Sequence, residues 1–458
     1  MSKPILPPEI LGEIFRSIVV EVFFAALKAQ FTPHAPITGL AIHLSSVSTY
    51  WRSVALSTHA MWSYIEIRHS IPWVSRSPLL ALALARSQHV PLHIIITMQH
   101  NLSGFPEVLS AWDALAEQLM AKVVFLEVFS MIHTNYTIQL TAENTLSRCL
   151  LFKQSPVLKT LNYSLLSMPM TGGRTLVTVT DWTEVRGKIL PHAPLLVELS
   201  LAHFGGLELS MLRPETIRGL QRFSHLALNV RMRVADVFTA APGLRHLSLG
   251  PSELPGESSA GSNLCRYGDL VSLSVEASTL AQLNRTSAPN LVRVKFEDEH
   301  MKQFDVVYLA CFLNSTPYLA LEHLILPTSF DWEGRECPEN MVAVIPLFAF
   351  MPNIRSLSLP TSCMKGSCIA EWTRPENVRF LPKLRAITLR RMIPFGHDAQ
   401  LFEEFFQSRQ AAMAEICDSA NRLPLTIEMD YWRDTAAAED ICELLGRYVK
   451  SIRVVGSP

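Results

Sequence analysis

Between residues 9 and 22 the apolar and polar positions recur with the period of an α-helix. Ile10, Leu11, Ile14, Phe15, Ile18, Val19 and Val22 fall on one face, with Glu9, Glu13, Arg16 and Ser17 on the other. Pro7 and Pro8 suit the first helical positions, where a missing N–H is harmless, and Glu9 complements the helix dipole. A second helical pattern runs through Leu40, Leu44, Val47, Trp51 and Val54, and Leu56 to Trp62 leads into a strand-like Ile65-Glu66-Ile67. Leu80 to Ser87 reads as a further helix that turns into a strand after Val90-Pro91-Leu92. By periodicity alone, residues 1–70 are a small helical module and residues 71–120 a linker helix with a first strand.

Beyond residue 120 another pattern takes over: an apolar residue, two variable ones, an apolar, one variable, an apolar. Copies begin at Leu158, Leu196, Leu244, Leu270, Leu291, Leu321, Ile354 and Leu384, often just after a proline, with weaker candidates at Val123 to Val128, Phe223 to Leu228 and Val449 to Val454. Spacings of 21 to 33 residues from 244 onward match leucine-rich repeats stretched at several steps. Intervening stretches such as Val306 to Phe312 and Met341 to Phe350 look helical. The expected fold class is therefore α/β, with residues 121–458 an irregular leucine-rich-repeat solenoid: a curved parallel sheet with helices on its convex side. A doubly wound sheet also alternates strands and helices, but gives no reason for this register to recur, and neither common phosphate-loop pattern is present. Ala399 to Ile416, Leu425 to Met429 and Glu439 to Tyr448 read as a helix, strand and helix capping the array.

In each such strand the residues between the buried positions face the concave side. That face carries Glu198, His246, Glu276, Arg293, Lys295, Glu297, His323 and Arg390 among many Ser and Thr, a candidate surface for a partner protein.

The N-terminal segment adds a resemblance. Leu6-Pro7-Pro8-Glu9-Ile10-Leu11 with Ile14-Phe15, then Val47-Ser48-Thr49-Tyr50-Trp51-Arg52-Ser53-Val54-Ala55, resembles an F-box. Leu56-Ser57-Thr58, Met61-Trp62-Ser63 and the helix–strand stretch from Leu80 are similar to the variant common in fungal-type F-box proteins. The resemblance implies docking onto a Skp-type adaptor of a cullin–RING ubiquitin ligase, with Leu6, Pro7, Ile10, Leu11 and Ile14 as the adaptor-binding edge; Trp51, at the middle of its helix, is expected in the core. Two features depart from the family pattern. Ser48 stands where cysteine or asparagine is common, and Val20 to Gly39 is an insertion. The insertion is either an extended first helix plus a loop or a segment across the docking face.

Composition narrows the remaining classes. Hydrophobic residues at 48% against 18% charged exclude a disordered chain. A formal charge of −1 provides no global field toward nucleic acid or anionic membrane, so neither is an expected partner. Three charges within Ile14 to Phe31 argue against a membrane span there, and Glu9 and Glu13 against a secretory signal. The expected location is cytoplasmic or nuclear, with scattered free thiols and unused sequons at Asn101, Asn135, Asn162, Asn284 and Asn314.

Candidate chemistry is thin. Cys363 and Cys368, with Cys337 upstream, lack the second tight pair of a zinc module. Gly256-Glu257-Ser258-Ser259-Ala260 lacks the closing glycine of a nucleophile elbow and lies in a turn-rich loop. No His-Glu-x-x-His pairing occurs. The expectation is a non-enzyme without cofactors: a substrate receptor of a ubiquitin ligase, or alternatively an interaction scaffold with a degenerate F-box. Ser329 to Asn340 reads as a recognition insert.

Overall fold

A computed structural model describes residues 6–29, 37–69, 77–98, 117–119, 121–133, 151–165, 189–202, 209–226, 232, 234–250, 265–275, 286–296, 312, 320–326, 342, 344–360, 366–392, 399–416, 426–431, 443, 446–449 and 451–456. The chain divides into two compact units, Met1–Met232 with Thr239–Gly243, and Arg233–Phe238 with Leu244–Pro458. The boundary expected near residue 70 does not separate them, because the helical module and the first strands lie in the same unit.

In the first unit, α1 (Pro8–Ala29) starts on its proline, and the amide of Leu11 donates to the carbonyl of Pro7 at 3.0 Å. The expected single apolar stripe splits in two. Leu11, Phe15, Val19, Phe23 and Ala26 are buried, while Ile10, Ile14 and Ile18 remain exposed. The buried row packs on α2 (Ile37–Ser46) and α3 (Thr49–Ser57). Gly12 permits the approach, since a Cβ there would lie 2.9 Å from Thr58 Oγ1. The pattern from Leu40 to Val54 forms two helices rather than one. Ser48 breaks it as the N-cap of α3, its hydroxyl accepting from the Trp51 amide at 3.1 Å. Trp51 is only partly buried, with its ring 4.9 Å from that of Phe15. Trp62 forms the fully enclosed anchor, donating from Nε1 to the carbonyl of Ala55 at 2.8 Å. Arg86, at the end of α4 (Ser77–Arg86), lies over its ring at 5.0 Å.

Among the described residues six strands follow: β1 (Tyr64–His69), β2 (Leu92–Met98), β3 (Leu126–His133), β4 (Thr160–Leu165), β5 (Glu198–Ala202) and β6 (Arg222–Leu226). They pair in parallel and in chain order, so β1, assigned above to the helical module, is the first strand of the sheet. One buried row crosses it as Ile65, Ile94, Phe129, Leu161, Leu199 and Phe223. Each such side chain contributes about 1.5–3 kcal/mol by leaving water.

The second unit repeats this plan with β7 (His246–Leu249), β9 (Ser272–Val275), β11 (Arg293–Phe296), β12 (His323–Ile325), β13 (Ser356–Pro360), β14 (Ala386–Met392), β15 (Thr426–Tyr431) and β16 (Ser451–Gly456), again parallel and in chain order. Two short strands, β8 (Cys265–Arg266) and β10 (Thr286–Ser287), pair separately. Neither unit reverses its strand order as a doubly wound sheet does. Leu247, Leu273, Val294, Leu324, Leu357, Ile387 and Ile427 form the buried row.

One small turn recurs before the strands in both units. The first Leu or Ile of each motif donates its amide three residues back: Leu158 to Ser155, Leu196 to Ala193, Leu291 to Ala288, Ile354 to Met351 and Leu384 to Leu381. In all five, proline occupies the second turn position, where its fixed φ suits the bend. The residue before each strand then bonds to its counterpart one repeat earlier, as Val292 does to Val271 at 2.9 Å and Arg385 to Arg355 at 2.8 Å.

Of the connections expected to be helical, Phe312 and Val342 are helical. Ile345–Phe350 is a 3-10 helix, and Val306 to Cys311 and Ser329 to Asn340 lie outside the described residues. Ala399–Ile416 forms the long helix expected there, here α5, but β15 and β16 follow it and extend the sheet. Most of Glu439 to Tyr448 lies outside the described residues, and among the described residues of the chain no helix is long and apolar enough to cross a membrane.

Candidate functional site

Two surfaces are candidates for a functional site, and the first is the exposed face of α1. Leu6 (51% exposed), Ile10 (50%) and Ile14 (41%) continue through Ile18 to Phe24, so the exposed apolar stripe runs most of the helix. Pro7 is exposed beside it. Leu11, expected on the same edge, is 3% exposed and belongs to the core instead, because it shares the row of Phe15 and Val19 that packs inward. The carbonyl of Leu6 accepts from the hydroxyl of Tyr50, which ties the start of the stripe to α3. The insertion from Val20 continues α1 as far as Ala29, and Phe23 sets its ring edge-on to Tyr64 at 5.3 Å and His93 at 5.9 Å. Residues 30–36 lie outside the described residues.

The second surface is the outward side of each sheet. In the first unit, its leading row reads Tyr64, His93, Val128, Thr160, Glu198 and Arg222. His93 stacks on Tyr64 at 4.4 Å. Glu127, at an irregularity in β3, lies 3.7 Å from His93 Nε2 and accepts from Lys159 Nζ at 2.7 Å. Burial pushes the His93 imidazolium below its ordinary range against the pull of Glu127, while Lys159 adds to the lowering. Burial likewise raises the Tyr64 phenol, although Arg16 opposes it. His93 Nδ1 and Ser130 Oγ are buried without a hydrogen-bond partner among the described residues. Further along, Arg222 meets Glu198 at 3.7 Å.

The second unit differs. His246, Ser272, Arg293, His323, Ser356, Ala386 and Thr426 form its leading outward row, with Ser248, Ser274, Lys295 and Ile325 two residues further along the first four strands. The fold thus brings His246, Arg293, Lys295 and His323 together on strands β7 to β12. Glu198 lies in the other unit, paired with Arg222. Arg390 sits in β14 opposite Pro360, and Glu276 and Glu297 lie outside the described residues.

Sequence reasoning missed His93, Glu127, Lys159 and Arg222. Lys159 and Arg222 stood within or beside repeat motifs and were legible as outward positions, whereas Glu127 comes into play only through the irregularity in β3. Cys368 is buried in the helix Gly366–Thr373, and Cys337 and Cys363 lie outside the described residues.

Comparison with known proteins identifies no family. No protein-family model matches the chain, and no curated protein does. A solved structure of a Bacteroides fragilis protein, a structural-genomics target, aligns over 86% of this chain and 74% of its own, at 11% identity and a TM-score of 0.28. A likeness at that level carries no argument.

Proposed function

We propose that this protein is the substrate-recognition subunit of a cullin–RING, SCF-type ubiquitin ligase. Its N-terminal helices act as an F-box on a Skp-type adaptor, and its leucine-rich-repeat-like strands form a curved solenoid that holds a target protein. The observation that carries this reading is the exposed apolar stripe Leu6, Ile10, Ile14 and Ile18, on a helix whose opposite side is already packed. An uncovered apolar strip along a well-anchored helix marks a protein contact more readily than a solvated face does. The protein supplies no catalytic group. It acts by raising the effective concentration of target lysines near the ubiquitin donor. The alternative is an interaction scaffold in which the same stripe meets another protein and the F-box is degenerate.

Co-expression of the full chain with a Skp-type adaptor tests this. Wild-type protein is expected to co-purify with adaptor. Ile10→Asp, at an exposed position, should abolish capture while leaving circular dichroism and melting unchanged. Leu11→Asp is unsuitable because it would place a charge in the core. Folded wild-type protein that captures no adaptor would leave the scaffold reading in its place.

A further inference from the structure

We propose that Tyr50 is a positioning residue for the docking face of α1: its hydroxyl holds Leu6, ahead of the helix, ready for the partner. The inference rests on the receptor reading and adds to that site a residue outside α1.

Leu6 is the part of the exposed stripe that helix geometry does not fix. Ile10, Ile14 and Ile18 lie within α1, which begins at Pro8, and the amide of Leu11 closes on the carbonyl of Pro7. Among the described residues no amide donates to the Leu6 carbonyl. That carbonyl accepts instead from the Tyr50 hydroxyl, 44 residues away. The sequence around Leu6 limits it further. A residue before proline is held to extended backbone, and Pro7 and Pro8 each have a fixed φ. What remains open is the direction in which the Leu6–Pro7 peptide points, and a bond to its oxygen sets that direction.

Tyr50 stands on a fixed support. It lies in the first turn of α3, which Ser48 caps, and the neighbouring Trp51 sets its ring 4.9 Å from that of Phe15 in α1. The hydroxyl is therefore carried by an element already packed on the helix that Leu6 precedes. The folded chain by itself gains little from the tie. Leu6 is 51% exposed, so ordering it buries little apolar surface and still costs conformational entropy. Ordering in advance tells on association, where a partner covering the side chain finds less freedom to remove. Leu6, Ile10, Ile14 and Ile18 follow at steps of four residues, so the held Leu6 lengthens the stripe by one step beyond α1.

A double-mutant cycle on the full-length chain, with affinity for a purified Skp-type adaptor measured by calorimetry, tests this. Tyr50→Phe keeps the ring and removes the hydroxyl. It should raise Kd about twofold to tenfold, the range of one neutral hydrogen bond, and leave the urea midpoint unchanged. Leu6→Ala should also raise Kd, and adding Tyr50→Phe to it should have no further effect, because Tyr50 acts through Leu6. In an Ile18→Ala background, inside the helix, the Tyr50→Phe effect should persist in full. Three results would overturn the positioning role and leave the receptor reading in place: an unchanged Kd in Tyr50→Phe, an equal loss with and without the Leu6 side chain, or a fall in urea midpoint that matches the lost affinity. Wild-type chain that binds no adaptor overturns the receptor reading, and the positioning role with it.

Discussion

Ser48 shows how one hydroxyl can decide local structure. Its sequence position is marked by departure from a family pattern, but its physical role is to end one helix and start the next. Serine is among the residues best suited to accept from a free amide in a helix's first turn. Ser48→Ala should destabilise the protein by about 1 kcal/mol, read as a lower midpoint in urea. His93 carries a different burden. Its folded-state pKa lies below the ordinary 6.5, so the unfolded chain takes up a proton first as pH falls. The associated stability is present above pH 6.5 and is lost as pH drops toward the folded value. His93→Phe preserves an aromatic ring against Tyr64 but cannot titrate. Its melting temperature should therefore fall less than that of wild type between about pH 8 and pH 5. Arg409 is a third such residue: its guanidinium donates to the carbonyls of Val378, Phe380 and Leu381, at 3.4, 3.0 and 2.7 Å. Burial pushes its pKa down to about 10, which leaves it charged at neutral pH. These bonds pin the turn where Leu381 adopts a left-handed φ of 57°. Arg409→Met should cost roughly 2–5 kcal/mol in chemical denaturation, because three carbonyls, two of them in buried hydrogen bonds, would lose their donor. The His93 and Arg409 partnerships could not be read from composition or period, because each joins atoms distant in sequence.

At the scale of elements, helical periodicity located α1 but could not divide its apolar side. Ile10 and Leu11 are neighbours of similar hydrophobicity, and only the packing of α2 and α3 decides that one is buried and the other exposed. The extension of α1 was open to two readings in sequence, and Phe23 explains the observed one by inserting between the helix and the first two strands. Phe23→Ala should cost about 3–5 kcal/mol and increase hydrogen exchange in residues 20–29 before the rest of the helix responds. The turns before the strands were far more legible. Proline at a fixed offset from a buried Leu or Ile specifies both the bend and the start of the next strand. The helical connections were less so, since short apolar runs do not distinguish a 3-10 segment from an α-helix.

For the whole molecule, repetition was the part that sequence exposed best. Two apolar positions separated by one residue define a strand with one buried side, and their recurrence implies parallel strands laid down in order. The division into two compact units was not visible, because the motif continues on both sides of residues 233–243 without a change of composition. Leu357, fully buried in the second unit, is expected to cost about 2–5 kcal/mol on replacement by Ala. Limited proteolysis should then cut first near β12, β13 and β14, since an array of repeats transmits a defect mainly to its neighbours.

Chain-order pairing also bears on how such a protein changes over generations. In each unit the strands of the main sheet are hydrogen-bonded in chain order, with β8 and β10 pairing only with each other, so no connection has to thread past another to complete the sheet. Extra residues gained between two strands can bulge outward without altering any other junction, and loop closure charges little for the added length. The uneven spacing of 21 to 33 residues between motif copies is what such permissive wiring would accumulate, one local lengthening at a time.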